Sequence, residues 1–171
     1  TMYMAKPPAE KGQVLGGTGV SLHQDTHYLP NEPNTLMACW IALSDTDPDN
    51  GGLCVVPGSH KGALRETEFN TSPEHASWKT DHTMRAPDGR EWDETLFSFH
   101  VLGVEENDLV KLSVPRGGGV FFTSLTIHGS YANRSSTRQR LAFAVHYVKE
   151  GTWVYRTDVQ DTTPVAAYHG K

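Results

Sequence analysis

The chain has 171 residues, of which 37% are apolar and 20% charged, proportions that fit one globular domain with room for a real core. A net charge of −5, with no basic stripe to neutralise phosphates, argues against a nucleic-acid partner. No apolar run approaches the roughly 18 residues that a membrane-spanning helix needs, so no membrane partner is expected either.

Sixteen Gly and ten Pro among many short apolar runs favour a turn-rich β protein. The opening, TMYMAKPPAEKG, lacks an initiator Met and reads as the start of a fragment. GQVLGGTGVSLHQD is a glycine-loosened approach to a strand ending near Asp25, and YLPNEPN is a loop. TLMACWIALSD fits a buried strand, DPDNGG a tight turn and LCVVPGSH a return strand, together predicting a hairpin. Cys39 and Cys54 lie within apolar runs and are expected to be buried free thiols rather than a disulfide. That leans towards a reducing compartment, and with no signal-peptide pattern the expected location is cytoplasmic.

Residues 62–108 lack strong periodicity. The stretch 66–108 holds three basic side chains (Lys79, Arg85, Arg90) against eleven acidic ones. It reads as a long surface excursion with some short structure, of the kind that forms lids and binding loops. Order returns with DLVKLSVPRGGGVFFTSLTIHGS, where a strand, a PRGGG turn and a second strand lead up to His128. After the polar loop YANRSSTRQ comes RLAFAVHYV, the last strand. The fold class expected is mainly β, a sandwich or barrel of about eight strands with few helices, forming a single domain over residues 1–171.

HQDTHY, residues 23–28, places His23, Asp25 and His27 at alternate positions. Nine His and ten Asp give roughly half an HxD by chance in this chain, so the motif alone reads more often as a solvated strand edge than as a metal site. On a strand, His23 and Asp25 project to one face about 6.7 Å apart and can meet one metal. His27 would stand about 13 Å from His23, too far to close the set, and is expected to line or support the site. The third ligand must then come from elsewhere. His75, His82 and His169 lie in charged or terminal stretches and are expected to be exposed, while His60 and His100 read as structural or lid residues.

His128 stands out by its downstream neighbours. Gly129 and Ser130 lead through a polar loop to Arg140, which shares a strand face with Ala142, Ala144 and His146. An arginine followed by two alanines on one face predicts a cavity with a cation at its mouth; the bland reading is an arginine snorkelling at a strand start. Two His and one carboxylate on one octahedral face leave three positions open, the arrangement of non-haem Fe(II) oxygenases. A chelating 2-oxo acid would need a planar cationic anchor for its far carboxylate, which suits arginine. A cupin-type metal-dependent isomerase or a small-molecule binding protein is the alternative, and it would keep the metal site without needing the arginine.

The segments KPP, HQDTHYLP, the CW strand, DNGGLCVVPGSHKGAL, VFF…IHGS…N and RLAFAVHY together span residues 1 to about 148. On these the chain resembles the phytanoyl-CoA dioxygenase family, Fe(II)- and 2-oxoglutarate-dependent oxygenases on a double-stranded β-helix or jelly roll. The resemblance implies iron ligands at His23, Asp25 and His128, and a 2-oxoglutarate anchor at Arg140. Arg138 is a rival, because Arg140 stands about one residue further from His128 than the family spacing. The pattern of an arginine, five residues, a histidine and an aromatic favours Arg140, with His146 and Tyr147. Ser130, Trp40 and Met2 correspond to positions lining the 2-oxoglutarate pocket.

The implied activity is hydroxylation of an unactivated C–H in a small organic molecule, consuming O2 and 2-oxoglutarate and releasing succinate and CO2. Asp25 argues against a halogenase, whose relatives have a small residue there. The family's helical region before KPP is absent from this sequence, and 66–108 matches no family pattern, so substrate specificity is expected there. Its acid excess would repel the polyanionic coenzyme A and favours a neutral or cationic substrate.

Overall fold

A computed structural model describes residues 1–166. Its strands are β1 (Met2–Lys6), β2 (Gly19–His23), β3 (Asn31–Glu32), β4 (Met37–Ala42), β5 (Leu53–Val55), β6 (Thr67–Glu68), β7 (His75–Ala76) and β8 (Trp78–Arg85). They continue as β9 (Glu91–Ser98), β10 (His100–Val101), β11 (Val110–Lys111), β12 (Gly119–Thr123), β13 (His128–Ser130), β14 (Arg140–Tyr147) and β15 (Trp153–Val154). The described residues contain no α-helix, only single 3-10 turns at Asp25–His27, Ser59–Lys61 and Glu106–Asp108. None of their helices is long and apolar enough to cross a membrane.

Two sheets carry the fold. One has the order β1-β14-β4-β12 and the other β11-β5-β13-β2-β7. Between them lies a cluster of Trp40, Ala42, Ala142 and Ala144 from the first sheet and Leu53 from the second. Strand β14 shows why the sequence chooses this arrangement: Arg140, Ala142 and Ala144 are buried while Leu141, Phe143 and Val145 are only half-buried, the period-two pattern of a strand with one inner face.

Successive segments alternate between the sheets, β4 to β5 and then β11 to β12 to β13 to β14, which is the winding of a double-stranded β-helix or jelly roll. The hairpin predicted across DNGG therefore does not form. Strand β4 pairs with β12 and β14, whereas β5 pairs with β11 and β13. Residues 43–52 are too many for a two-residue hairpin loop. Thr46 instead pairs with Val114, and the Asn50 side chain bonds Asp45 and Gln139 carbonyls while accepting from the Asp47 N–H. The same holds for PRGGG, which carries the chain from the second sheet to the first.

The excursion is more ordered than its sequence implied. Strands β8 and β9 pair over eight residues, from Trp78 with Ser98 to Arg85 with Glu91. Their loop turns at Pro87-Asp88-Gly89, where Gly89 takes a φ of 85°. Trp78, Met84, Trp92 and Leu96 on the inner face pack on Tyr28, Leu29 and Leu36. Asp81, Asp93 and Glu91 occupy the other face and are exposed.

Candidate metal centre

His23 ends β2 and His128 begins β13, and the two are direct cross-strand partners. Asp25 sits on the 3-10 turn that follows β2, so the strand ends two residues earlier than the sequence implied. Turning at that point brings the carboxylate back beside the two imidazoles. One donor atom from each of His23, Asp25 and His128 lies within 4.8 Å of the others, and all three residues are buried. The Nε2 atoms of His23 and His128 stand 3.4 and 3.6 Å from Asp25 Oδ1.

Second contacts fix the imidazoles. His23 Nδ1 lies 2.7 Å from the Ser21 carbonyl oxygen and His128 Nδ1 lies 3.0 Å from that of Thr126. A carbonyl can only accept, so each Nδ1 donates, and Nε2 is the ring nitrogen turned toward Asp25. Burial, reinforced by repulsion from His23, lowers the His128 pKa to about 4 and keeps the ring neutral. Burial pushes the Asp25 pKa up, but His128, His146 and His23 together outweigh it and hold the carboxyl well below its ordinary range.

Asp25 has two further neighbours. The Tyr28 hydroxyl donates to Oδ1 at 2.5 Å, and burial with the adjacent carboxylate raises its pKa. His146 Nε2 stands 3.4 Å from Oδ2 without the alignment of a hydrogen bond, leaving that buried oxygen without a hydrogen-bond partner. The two Nε2 atoms and the buried Asp25 Oδ1 that faces both fit a divalent metal. Three donors on one octahedral face at about 2.1 Å from an ion stand about 3 Å apart, somewhat less than the 3.4 and 3.6 Å between Oδ1 and the two Nε2 atoms.

His27 is not part of this cluster. The 3-10 turn aims it at Phe97, ring centroids 5.2 Å apart, which replaces the strand-spacing reason for leaving it out. His75 and His82 are half-buried rather than exposed, in β7 and β8 respectively. His60 is exposed, and His100 is half-buried in β10 with its Nδ1 unpartnered. His169 lies outside the described residues.

Arg140 is buried at 2% exposure, and its Nε donates to the Gly51 carbonyl at 3.1 Å. No carboxylate pairs with it among the described residues, and its nearest aromatic face is Trp40, 6.0 Å away. Burial lowers its pKa to about 10, so it remains a cation at neutral pH. Arg138 by contrast is an exposed side chain in an ion pair with Asp47. Met2, Ala144 and Trp40 line up across β1, β14 and β4 on one face. Ala142 has no exposed surface and Ala144 only 6%, so these alanines admit Trp40 and Met4 instead of opening the predicted cavity at that point. An open cleft of about 390 Å³ lies at the other end, with Val55, Leu112, Val120 and Phe122 among its lining. The Phe122 ring is 4.2 Å from that of His128.

Sequence reasoning passed over three residues near this centre. Tyr28 closes the HQDTHY motif itself, but its role depends on the 3-10 turn. His146 was visible as a same-face partner of Arg140, although not as a neighbour of Asp25. Lys6, in the KPP segment, gave no signal beyond the motif.

Residues 1–141 match the family model described as phytanoyl-CoA dioxygenase (PhyH). The chain belongs to the phytanoyl-CoA dioxygenase family. Among family members, peroxisomal phytanoyl-CoA dioxygenase of Homo sapiens is 32% identical over 150 residues, covering 86% of this chain and 38% of that protein. A probable alpha-ketoglutarate-dependent hypophosphite dioxygenase of Stutzerimonas stutzeri is 28% identical over 148 residues, covering 86% and 43%. The chain thus spans less than half the length of these relatives. The fold recurs in the non-heme monooxygenase ThoJ, with a TM-score of 0.60 at 19% identity, covering 94% of this chain and 51% of that one. It recurs also in the epimerase SnoN, solved with Fe3+, alpha ketoglutarate and nogalamycin RO, with a TM-score of 0.59 at 18% identity, covering 96% and 55%.

Proposed function

We propose that this chain carries the catalytic core of an Fe(II)- and 2-oxoglutarate-dependent dioxygenase that hydroxylates an unactivated C–H of a small organic molecule. The observation that carries this reading is a two-His, one-carboxylate cluster together with a buried arginine that has no acidic partner. His23, Asp25 and His128 would hold the metal, and Arg140 would hold the far carboxylate of 2-oxoglutarate. Bound iron with 2-oxoglutarate and O2 supplies the oxidising chemistry, with succinate and CO2 as co-products.

The protein's own contribution is positional. The Ser21 and Thr126 carbonyls hold the two imidazoles in the ligating tautomer. Tyr28 donates to Oδ1 of Asp25 and so orients the carboxylate toward the two imidazoles. Trp40 and Met2, on the face shared with Ala144, would flank the co-substrate, and Ser130 would reach it from β13. A cupin-type isomerase or binding protein gives no account of the unpaired Arg140, so the dioxygenase reading is preferred.

Relatives named for an acyl-CoA and for hypophosphite leave the substrate to this chain's own residues. The acid excess of 66–108 bears on it less than its sequence implied, because Asp81, Glu91 and Asp93 face solvent on the outside of the hairpin. The apolar cleft that backs onto Phe122 and His128 favours a substrate with an apolar portion. Supplying Fe(II), 2-oxoglutarate and oxygen should yield succinate with the wild type and none with Asp25→Ala; no succinate from the wild type would contradict the reading.

A further inference from the structure

Lys6 ends β1 directly opposite Arg140 on β14. Both residues are buried, at 5% and 2% exposure. Among the described residues neither has a carboxylate within ion-pairing distance. Two adjacent cations out of water without a counter-ion are unfavourable in an empty protein, and a bound anion removes the penalty. Burial, with Arg140 alongside, lowers the Lys6 pKa to about 6, so the ligand-free lysine is largely neutral at pH 7 and takes up its proton when a carboxylate binds beside it.

The surroundings are shaped for this lysine. A Cβ at Gly17 would come within 2.9 Å of the Lys6 Cβ, and one at Gly51 within 2.8 Å of its Cδ. Gly51 also takes a φ of 94° and offers its carbonyl to Arg140, so one glycine of the DNGG turn serves both cations. Asn133, with no exposed surface, donates to the Lys6 carbonyl at 3.0 Å and fixes the end of the strand.

Lys6 acts on Ser130. Its Nζ donates to Ser130 Oγ at 2.8 Å and to the Tyr131 carbonyl at 2.5 Å. The Val20 N–H also donates to Ser130 Oγ, at 3.2 Å. A hydroxyl oxygen has two lone pairs, and with Lys6 protonated both are taken, so the Ser130 O–H is left as a donor only. A donor beside two cations matches a carboxylate and mismatches an amide N–H or a methyl group.

We infer that Lys6 is a positioning and specificity-determining residue of the co-substrate site: it takes up a proton with the bound carboxylate, fixes Ser130 as a donor, places a second positive charge beside Arg140, and so selects 2-oxo acids whose far end is a carboxylate. This rests on the proposed dioxygenase reading. A purely structural lysine would tie β1 to the Tyr131 carbonyl and leave ligand choice unchanged.

The test compares 2-oxoglutarate with 2-oxopentanoate, which keeps the chelating end and lacks the distal carboxylate. Affinities are read in anaerobic Fe(II)-loaded protein from the visible absorption of the chelate and, independently, from the ligand-induced rise in Tm. Lys6→Met should weaken 2-oxoglutarate binding on the order of tenfold to a hundredfold and leave 2-oxopentanoate within about twofold. Lys6→Gln, which keeps a donor for Ser130 without the charge, should lose the same preference and covers the case that the Met variant does not fold. Lys6→Met combined with Ser130→Ala should cost less than the sum of the two single changes. Wild-type binding of 2-oxoglutarate that both Lys6 variants leave within twofold overturns the role of Lys6 alone. No binding by the wild type overturns the dioxygenase reading beneath it.

Discussion

His128 is the cross-strand partner of His23. Adjacent strands β13 and β2 therefore bring together two imidazoles separated by most of the chain, and the turn after β2 adds Asp25 to them. The register of one strand pair makes the centre, because a slip by one residue would send either histidine to the opposite face of its sheet.

Tyr28 holds Oδ1 of Asp25 and is itself buried against Trp78 and the hairpin. Partners that orient a metal-binding carboxylate typically contribute 10-fold to 100-fold in metal affinity, so Tyr28→Phe should weaken Fe(II) binding by about that factor. Equilibrium competition against a chelator of known affinity measures it. An unchanged affinity would mean that the turn alone orients the carboxylate.

Arg140 and Arg138 should separate cleanly. Arg140→Ala removes the buried cation and should weaken 2-oxoglutarate binding on the order of 100-fold, with metal affinity little changed. Arg138→Ala breaks only an exposed pair with Asp47 and should leave 2-oxoglutarate binding within about twofold. Calorimetric titration of each variant decides between them, and a larger loss at Arg138 would reverse the assignment.

Much of this arrangement was legible in the sequence, for physical reasons. The period-two pattern of RLAFAVHY fixed the face of Arg140, and the small-residue exit after His128 singled out that histidine. Pairing partners were not legible. DNGG carries local turn chemistry, but whether the next strand returns to the same sheet or crosses to the other depends on β4 pairing with β12 and β14, whose partner residues lie 78 to 110 positions away. The β8–β9 hairpin was missed because its alternation includes His82, Glu94 and Ser98 on the inner face, which blurs the apolar count although PDG marked the turn.

The Lys6 pKa gives a pH dependence whose sign is fixed. An unfolded lysine keeps its proton up to about 10.4, whereas folded Lys6, facing Arg140 and Cys54, loses it near 6. Between those values the unfolded state binds the extra proton, so the ligand-free protein gains stability as pH rises through this window and loses that gain as pH falls towards 6. Denaturant unfolding at pH 6.5 and pH 9 should show wild type improving relative to Lys6→Met, by up to about 1.4 kcal/mol per pH unit. Parallel pH profiles for the two proteins would contradict it.

Cys39 and Cys54 are buried and unpaired, and burial raises the Cys54 thiol pKa. A buried thiol with little thiolate reacts slowly. A thiol reagent at neutral pH should label both cysteines only after denaturation, with mass spectrometry reporting the count. Rapid labelling of the folded protein at Cys54 would show that the sheet face over it opens.

The most direct test of the central claim is an anaerobic titration of 2-oxoglutarate into the Fe(II)-loaded protein, followed at visible wavelengths. A saturable charge-transfer band is expected in the wild type, with its midpoint moved to far higher 2-oxoglutarate in Arg140→Ala. A wild type that shows no band, or an Arg140→Ala variant that titrates like the wild type, would contradict the account.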